Sequence, residues 1–169
     1  MQQEWIATIL IRELETTKQE LAAFPDEAAV WATRPGVTNS AGTLALHLAG
    51  NLQHFIGAML GHSGYVRHRD REFGDRDVSR AELTAALDRA IDSIRTTFAK
   101  PIDLDAEFPE AVGGAFRVAT GDMLLQLVSH TGFHLGQLGY LRRILTGESR
   151  STGPLALGRL ATARKAEPA

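Results

Sequence analysis

Two histidines one helical turn apart are the residues of this sequence best suited to chemistry. His130 and His134 lie within a mostly apolar stretch, Leu124–Leu145. On a helix, an i, i+4 pair places both imidazole rings on one side, about one turn apart. Two ring nitrogens at that spacing can bind one metal ion at roughly 2.0–2.1 Å each. The pair is therefore a candidate for part of a metal site.

The same spacing has other interpretations. Two histidines also occur at this spacing by chance, and a partly buried histidine is often only hydrogen-bonded to a neighbour. Thr131 follows the first histidine directly, where zinc proteases carry the glutamate that acts as general base. The sequence therefore disfavours a protease of that type and leaves a metal site and packed core histidines as alternatives.

An amphipathic helix is predicted to carry the pair. Apolar residues recur every three or four positions, as expected of a helix with one face toward a core. The helix is predicted to begin near Thr120, a candidate N-cap with Asp122 in the first turn, and to end at Gly147. The two histidines lie in or beside its apolar face, which consists of Leu124, Leu127, Val128, Thr131, Leu135, Leu138, Leu141 and Leu145.

Three further stretches have helical periodicity, and none shows the alternation typical of strands. They are residues 3–23, residues 41–62 after a candidate N-cap at Ser40, and a helix from the Ser79–Glu82 capping box to about residue 99. We predict an all-α fold, a four-helix bundle with long connections after helices 2 and 3. The predicted domains are a bundle over residues 1–147 and a C-terminal tail or short helix over residues 148–169.

Composition excludes several classes of function. The chain has 169 residues and no cysteine, which removes disulfides, thiolate metal sites and cysteine nucleophiles. Its net charge of −2 comes from well-mixed charges, so a nucleic-acid partner has no electrostatic support. No apolar run reaches the roughly 18 residues that span a membrane. The N-terminus has no basic region ahead of an apolar one, so a secretion signal is not predicted, and a cytoplasmic location is expected.

A third metal ligand is predicted on the second helix. His47 lies between Leu46 and Leu48, and bundle metal sites are built from facing helices. Three neutral imidazoles with one open position form the usual plan of a catalytic divalent-metal site. His54 is the rival ligand, but it lies about 10.5 Å further along the helix axis, so one ion cannot easily use both. A hydrogen-bonded core histidine is the alternative for His47.

Other residues near the histidines have two interpretations each. Asn51, one turn beyond His47, is either a pocket residue or a solvated one. Gln137 either supports one of the metal-binding histidines or is a polar residue on the helix surface, and Arg142 either contacts substrate or is a solvated cation at a helix end. Gly132, Gly136 and Gly139 form a strip of small residues on this helix. The strip favours tight helix packing, within the bundle or across a dimer, over a substrate cavity.

Two segments resemble the DinB-like superfamily of bacterial four-helix-bundle proteins. They are residues 43–51, around His47, and residues 129–138, around the histidine pair. Residues 71–73 are similar to a segment often found between helices 2 and 3 of that family. The resemblance spans about residues 3–147. It implies a divalent metal ion, most often nickel or zinc, held by His47, His130 and His134, and a homodimer in a bacterial cytoplasm.

The resemblance also limits the activities to consider. Similar proteins include metal-dependent transferases that use low-molecular-weight thiols, isomerases of the maleylpyruvate type, and proteins labelled hydrolases. A fold does not transfer a reaction. The first hypothesis is a metal-dependent enzyme, of the thiol transferase or hydrolase type, acting on a small molecule. The alternatives are a non-catalytic, stress-linked dimer that binds a metal or ligand, and a structural dimer in which the histidines only pack.

Overall fold

Six α-helices account for most of the part of the chain that the structure describes. The computed structural model describes residues 2–153 and 155–166. The helices are α1 Gln2–Ala22, α2 Glu27–Trp31, α3 Ala41–Leu52, α4 Arg69–Gly74, α5 Arg80–Phe98 and α6 Thr120–Thr146. A π-helical segment, Gln53–Ala58, continues α3 directly, and a 3₁₀ turn, Leu157–Arg159, follows α6. These residues contain no strand, only isolated bridges in the connection before α6, so the all-α prediction is confirmed.

Local sequence signals set several helix ends. The Ser40 hydroxyl accepts a hydrogen bond from the Thr43 amide at 3.1 Å and caps α3. Ser79 and Glu82 form the predicted capping box at the start of α5. Gly147 ends α6 in the left-handed conformation, with φ of 70°, which glycine adopts without steric cost. The N-cap predicted for α6 is wrong, because Ala119 holds that position and Thr120 is the first helical residue.

The longer helices surround a core of aliphatic side chains. Helix α1 packs against α5 and α6, and α3 packs against the same two helices. Most of the predicted apolar face of α6 is buried, as Leu124, Leu127, Leu135, Leu138 and Leu141 show. The packing of α3 against α6 brings the two histidine-bearing helices into contact.

The helix count differs from the predicted four because two short helices lie in the connections. Helix α2 occupies five residues of the connection after α1, and α4 occupies six residues of the long connection predicted after helix 2. The second predicted helix changes from α to π geometry after Leu52. π-helical segments of this kind are frequent at functional sites.

The C-terminal segment contains no α-helix among residues 148–153 and 155–166. Pro154 and residues 167–169, part of the predicted tail, lie outside the described residues. The predicted domain boundary after residue 147 remains a prediction. In the described part of the chain, no helix is both long and apolar enough to cross a membrane.

Candidate metal site

Three histidine rings from two helices meet at one point. His47 of α3 is buried, and His130 and His134 of α6 are partly buried. The Nε2 atom of His130 lies 3.1 Å from Nε2 of His47 and 3.1 Å from Nε2 of His134. One ring nitrogen from each histidine lies within 4.8 Å of the other two. The structure thus brings together the three residues that the sequence predicted as metal ligands.

In two of the rings, the nitrogen that faces away from the cluster, called the outer nitrogen below, is hydrogen-bonded to an oxygen atom. His47 Nδ1 lies 2.9 Å from Oε2 of Glu72, and His134 Nδ1 lies 2.8 Å from Oε1 of Gln137. A carboxylate or amide oxygen only accepts, so each Nδ1 carries the proton and donates it. A neutral imidazole with the proton on Nδ1 has a free electron pair on Nε2. Both Nε2 electron pairs therefore point toward the shared point.

His130 completes the cluster without such a partner. Its Nδ1 atom is buried and makes no hydrogen bond. Burial, followed by the neighbouring His134, His47 and Arg67, lowers the pKa of His130 to about 4. Burial also lowers the pKa of His134, although the hydrogen bond to Gln137 opposes the change. These two imidazoles are neutral at neutral pH, which is the form that binds a metal ion.

The donor set fits a divalent metal ion. Two nitrogens bound at 2.0–2.1 Å in tetrahedral geometry lie about 3.3 Å apart, and two of the nitrogen pairs here are 3.1 Å apart. Without a metal ion, the Nε2–H of a neutral His130 can donate to one of its two neighbours, and an ion bound by all three nitrogens would take the place of that hydrogen bond. Imidazole nitrogen suits zinc, nickel, copper and iron, so the donors do not select among these metals.

Helix α4 covers the outer side of His47. It brings Phe73 to 4.8 Å from the His47 ring, measured between ring centroids, and it carries Glu72. Arg67 donates from Nε to Oε1 of Glu72 at 2.7 Å and from Nη2 to Oε2 at 2.8 Å. Burial tends to raise the pKa of Glu72, but the hydrogen bonds and charges of Arg67 and His47 outweigh it and lower that pKa. Glu72 is therefore a buried, ionised hydrogen-bond acceptor.

His54 lies apart from the cluster, as the spacing along the helix predicted. It belongs to the π-helical segment, and its Nε2 lies 3.0 Å from Oε2 of Glu110. Asn51, between the two histidines of this helix, is buried, and its Oδ1 has no hydrogen-bond partner. Of its two interpretations, the solvated one is wrong.

Two residues of α6 differ from their predicted surroundings. Gln137 is exposed on the helix surface and also accepts a hydrogen bond from His134, so both interpretations of this residue are correct. Arg142 is wrongly predicted as a solvated cation or substrate contact, because it is fully buried in an ion pair with Glu20 of α1. That carboxylate reaches Arg142 from another helix, which local sequence does not reveal.

The glycine strip of α6 divides between two environments. A Cβ atom added at Gly139 would contact Glu20 of α1, so this glycine fits the predicted packing within the bundle. Cβ atoms added at Gly132 or Gly136 would meet nothing within 4 Å. The strip therefore makes tight contact within the bundle only at its C-terminal end.

Sequence reasoning missed the parts played by Glu72 and Arg67. Both lie in a segment rich in arginine and aspartate, where a charged residue has many equivalent neighbours. The resemblance at residues 71–73 indicated the segment but not the contact. A second signal was Gly50 in the middle of α3, where a Cβ atom would lie 2.8 Å from Cδ of Glu72.

The fold and the site together define an all-α bundle protein whose three-histidine cluster could hold a metal ion. The profile of the DinB superfamily matches residues 9–138, well over half of the chain. The chain therefore belongs to the DinB superfamily, as the sequence resemblance predicted. A comparison with curated proteins finds no match.

Proposed function

We propose that this protein binds one divalent metal ion, nickel or zinc, through His47, His130 and His134, and uses it as an enzyme. The proposed reaction is of the thiol transferase or hydrolase type on a small molecule. The observation that supports metal binding is the convergence of three ring nitrogens. In His47 and His134, the hydrogen bond at Nδ1 leaves the electron pair of Nε2 free to bind the ion. Three neutral nitrogen donors leave a coordination position for a further molecule.

The ion would lower the pKa of a bound thiol or water and so supply a nucleophile near neutral pH. Glu72 and Gln137 hold the imidazoles of His47 and His134 in one tautomer and one orientation. The chain contains no cysteine. A thiol nucleophile would therefore come from a separate low-molecular-weight thiol, which is the proposed cosubstrate.

A non-catalytic protein that binds a metal or ligand is the second candidate, and one observation favours it. Glu72 is the carboxylate in contact with the cluster, but both of its oxygens are already bonded to Arg67 and one also to His47. A general base needs a free acceptor within reach of the proton that it removes. Glu72 is therefore not available as a general base in this arrangement.

Metal analysis of protein purified without a histidine tag tests the site. We expect about one divalent ion per chain, since the donors form one cluster. A variant with His47→Ala, His130→Ala and His134→Ala should lose the ion, whereas His54→Ala should keep it. Full metal content in the triple variant would contradict the proposed site.

Turnover separates the enzyme from the second candidate. The metal-loaded protein should consume an electrophilic small molecule or an ester, in a reaction that depends on added thiol in the transferase case. The triple variant is the matched control. Stoichiometric metal without turnover across thiols and hydrolysable substrates would favour the non-catalytic binding protein.

A further inference from the structure

We infer that Glu72, held in place by Arg67, is the principal positioning residue of the three-histidine cluster, acting on the cluster through His47. This inference rests on the proposed metal site and adds a residue that is not itself a ligand. It predicts that the affinity for the metal depends on α4, an element that contributes no ligand.

The three histidines differ in what holds their outer nitrogen. His47 donates to a carboxylate that is 6% exposed, whereas His134 donates to the amide of the exposed Gln137. His130 has no partner at Nδ1. A hydrogen bond to an ionised acceptor is roughly twice as strong as one between neutral groups. His47 is therefore the ligand whose orientation is fixed most firmly.

The carboxylate is itself fixed from two sides. Arg67 holds both of its oxygens in a bidentate pair, at 2.7 and 2.8 Å. On the other side, it lies against the backbone of α3 at Gly50, where a Cβ atom would be 2.8 Å from Cδ and 3.2 Å from Cγ of Glu72. The close approach requires glycine at position 50. A carboxylate confined in this way leaves His47 one hydrogen-bonded orientation.

The consequence for a bound metal follows from the tautomer. A proton held on Nδ1 leaves the Nε2 electron pair free and directed at the point shared with His130. Carboxylate partners of ligand histidines raise the basicity of the ring, and their loss typically weakens metal binding about 10–100-fold. Because Glu72 is charged and buried while Gln137 is neutral and exposed, loss of Glu72 should have the larger effect.

Zinc affinity of the full-length apo protein, measured by competition with a chelator, tests the inference. Glu72→Ala should weaken zinc binding about 10–100-fold. Glu72→Gln should weaken it less, since its amide oxygen still accepts the Nδ1 proton of His47. Gln137→Ala should give a smaller loss than Glu72→Ala. Glu110→Ala is the matched control, because it removes a carboxylate that binds a histidine at 3.0 Å outside the cluster.

Gly50→Ala tests the position of the carboxylate without changing any polar group. The added methyl group would overlap the Glu72 side chain and must displace it, so zinc binding should weaken although every proposed ligand remains. Gly158→Ala is its control, since a Cβ atom there also meets nothing within 4 Å. The protection of the His47 Nδ1 proton from solvent exchange, followed by NMR in the zinc-loaded protein, should fall in Gly50→Ala and in Glu72→Ala.

Each outcome has a separate meaning. If the wild type binds zinc, and Glu72→Ala and Gly50→Ala bind it with an affinity within about threefold of the wild type, the inference is overturned. The proposed metal site is then unaffected. An equal loss in Glu110→Ala would also overturn it, because the effect would not be specific to His47. A wild type that binds no zinc would overturn both the inference and the proposed function. Thermal unfolding of each variant identifies losses of zinc affinity that come from misfolding. If Glu72→Ala misfolds, the zinc affinity of the milder variant Glu72→Gln decides whether Glu72 positions His47.

Discussion

Residues on one helix line can have different roles because of what contacts them. His47 and His54 share a line of the helix formed by α3 and its π-helical continuation, but only His47 reaches the cluster. We expect His47→Ala to weaken metal binding at least about 100-fold, since it removes a ligand, and even the loss of a ligand's partner reaches roughly 10–100-fold. His54→Ala should change the affinity less than about 10-fold. Titration calorimetry of both apo variants with zinc and with nickel measures this difference.

The reverse result would contradict the arrangement of α3 against α6. If His54→Ala abolished binding while His47→Ala left it intact, the contact between the two helices would be displaced by about two turns. The control is His62→Ala, at a histidine beyond the π-helical segment. It should leave the affinity unchanged.

The lowered pKa of His130 predicts how the stability of the metal-free protein depends on pH. The folded state holds this pKa at about 4, whereas an unfolded histidine titrates near 6.5. Between these two pH values the unfolded state binds more protons than the folded state, so the free energy of unfolding falls as the pH falls from about 6.5 to 4. Below about pH 4 both states are protonated at this residue, and His130 causes no further loss. His134 contributes in the same direction.

Urea unfolding of the apo protein between pH 7 and pH 5 measures this effect above the range where carboxylates titrate. The wild type should lose stability over that range, and His130→Gln should lose less, because glutamine does not bind a proton. Equal slopes for the two proteins would show that the folded state does not lower the pKa of this histidine.

The sequence could predict which three histidines lie together but not their hydrogen-bond partners. The helical periodicity around His47 and around the i, i+4 pair places all three rings on core-facing sides. The contact of Glu72 with His47 depends on the path of residues 59–68 between two helices, which no local pattern specifies. Arg142 was misjudged for a related reason, since its partner Glu20 lies on a helix more than one hundred positions earlier.

At the scale of elements, long periodic segments were predictable and short ones were not. Helices α1, α5 and α6 agree with their predicted ranges because each combines apolar periodicity with a clear end signal. Helix α4 has only six residues, most of them charged, and isolated helices of that length are not stable on their own. Tertiary contacts, such as those of Glu72 and Phe73, form it. The change to π geometry after Leu52 has no sequence signal that we recognise.

The buried ion pair between α1 and α6 also ties down the segment that follows α6. Arg142 pairs with Glu20 and donates to the carbonyl oxygens of Glu148 and Arg150 at 3.2 and 2.7 Å. Thr152 donates to the other oxygen of Glu20 at 2.6 Å. One arginine and one glutamate therefore connect two helices and the chain after Gly147.

Loss of one partner should be costly, because it leaves a buried charge without compensation. We expect Arg142→Met to lower the free energy of unfolding by about 3–5 kcal/mol. The double variant Glu20→Gln with Arg142→Met should lose less, since no buried charge remains. Chemical denaturation measures both, with Arg143→Met, one position along the helix, as control. A loss for the double variant as large as that for Arg142→Met alone would contradict this account.

At the scale of the whole molecule, one face of α6 remains uncovered. Several of its large apolar side chains are more than half exposed, namely Leu125, Phe133, Tyr140 and Ile144. Gly132 and Gly136 lie between them on the same side, with open space around them. The helical spacing places these apolar side chains on the solvent side of the helix, where the exposed polar residues Gln126, Ser129 and Gln137 lie among them. Large exposed apolar patches usually mark an interaction surface.

We propose that a second copy of this chain covers this face and forms the homodimer expected from the sequence. A two-fold axis near Gly132 and Gly136 would let two α6 helices approach closely, because small residues leave room for a neighbouring backbone. A stable interface should bury at least about 1,000 Å² in total, and α6, about 40 Å long, offers a face of suitable length.

Light scattering at tens of micromolar should therefore give the mass of a dimer for the wild type. Tyr140→Glu with Ile144→Glu should give a monomer, because the substitutions place two charges in each copy within the apolar contact. Phe116→Glu is the matched control, since it changes an equally exposed apolar residue in the connection before α6; this variant should remain a dimer. A wild-type monomer at that concentration would contradict the dimer, and an intact dimer in the double variant would place the interface on another surface.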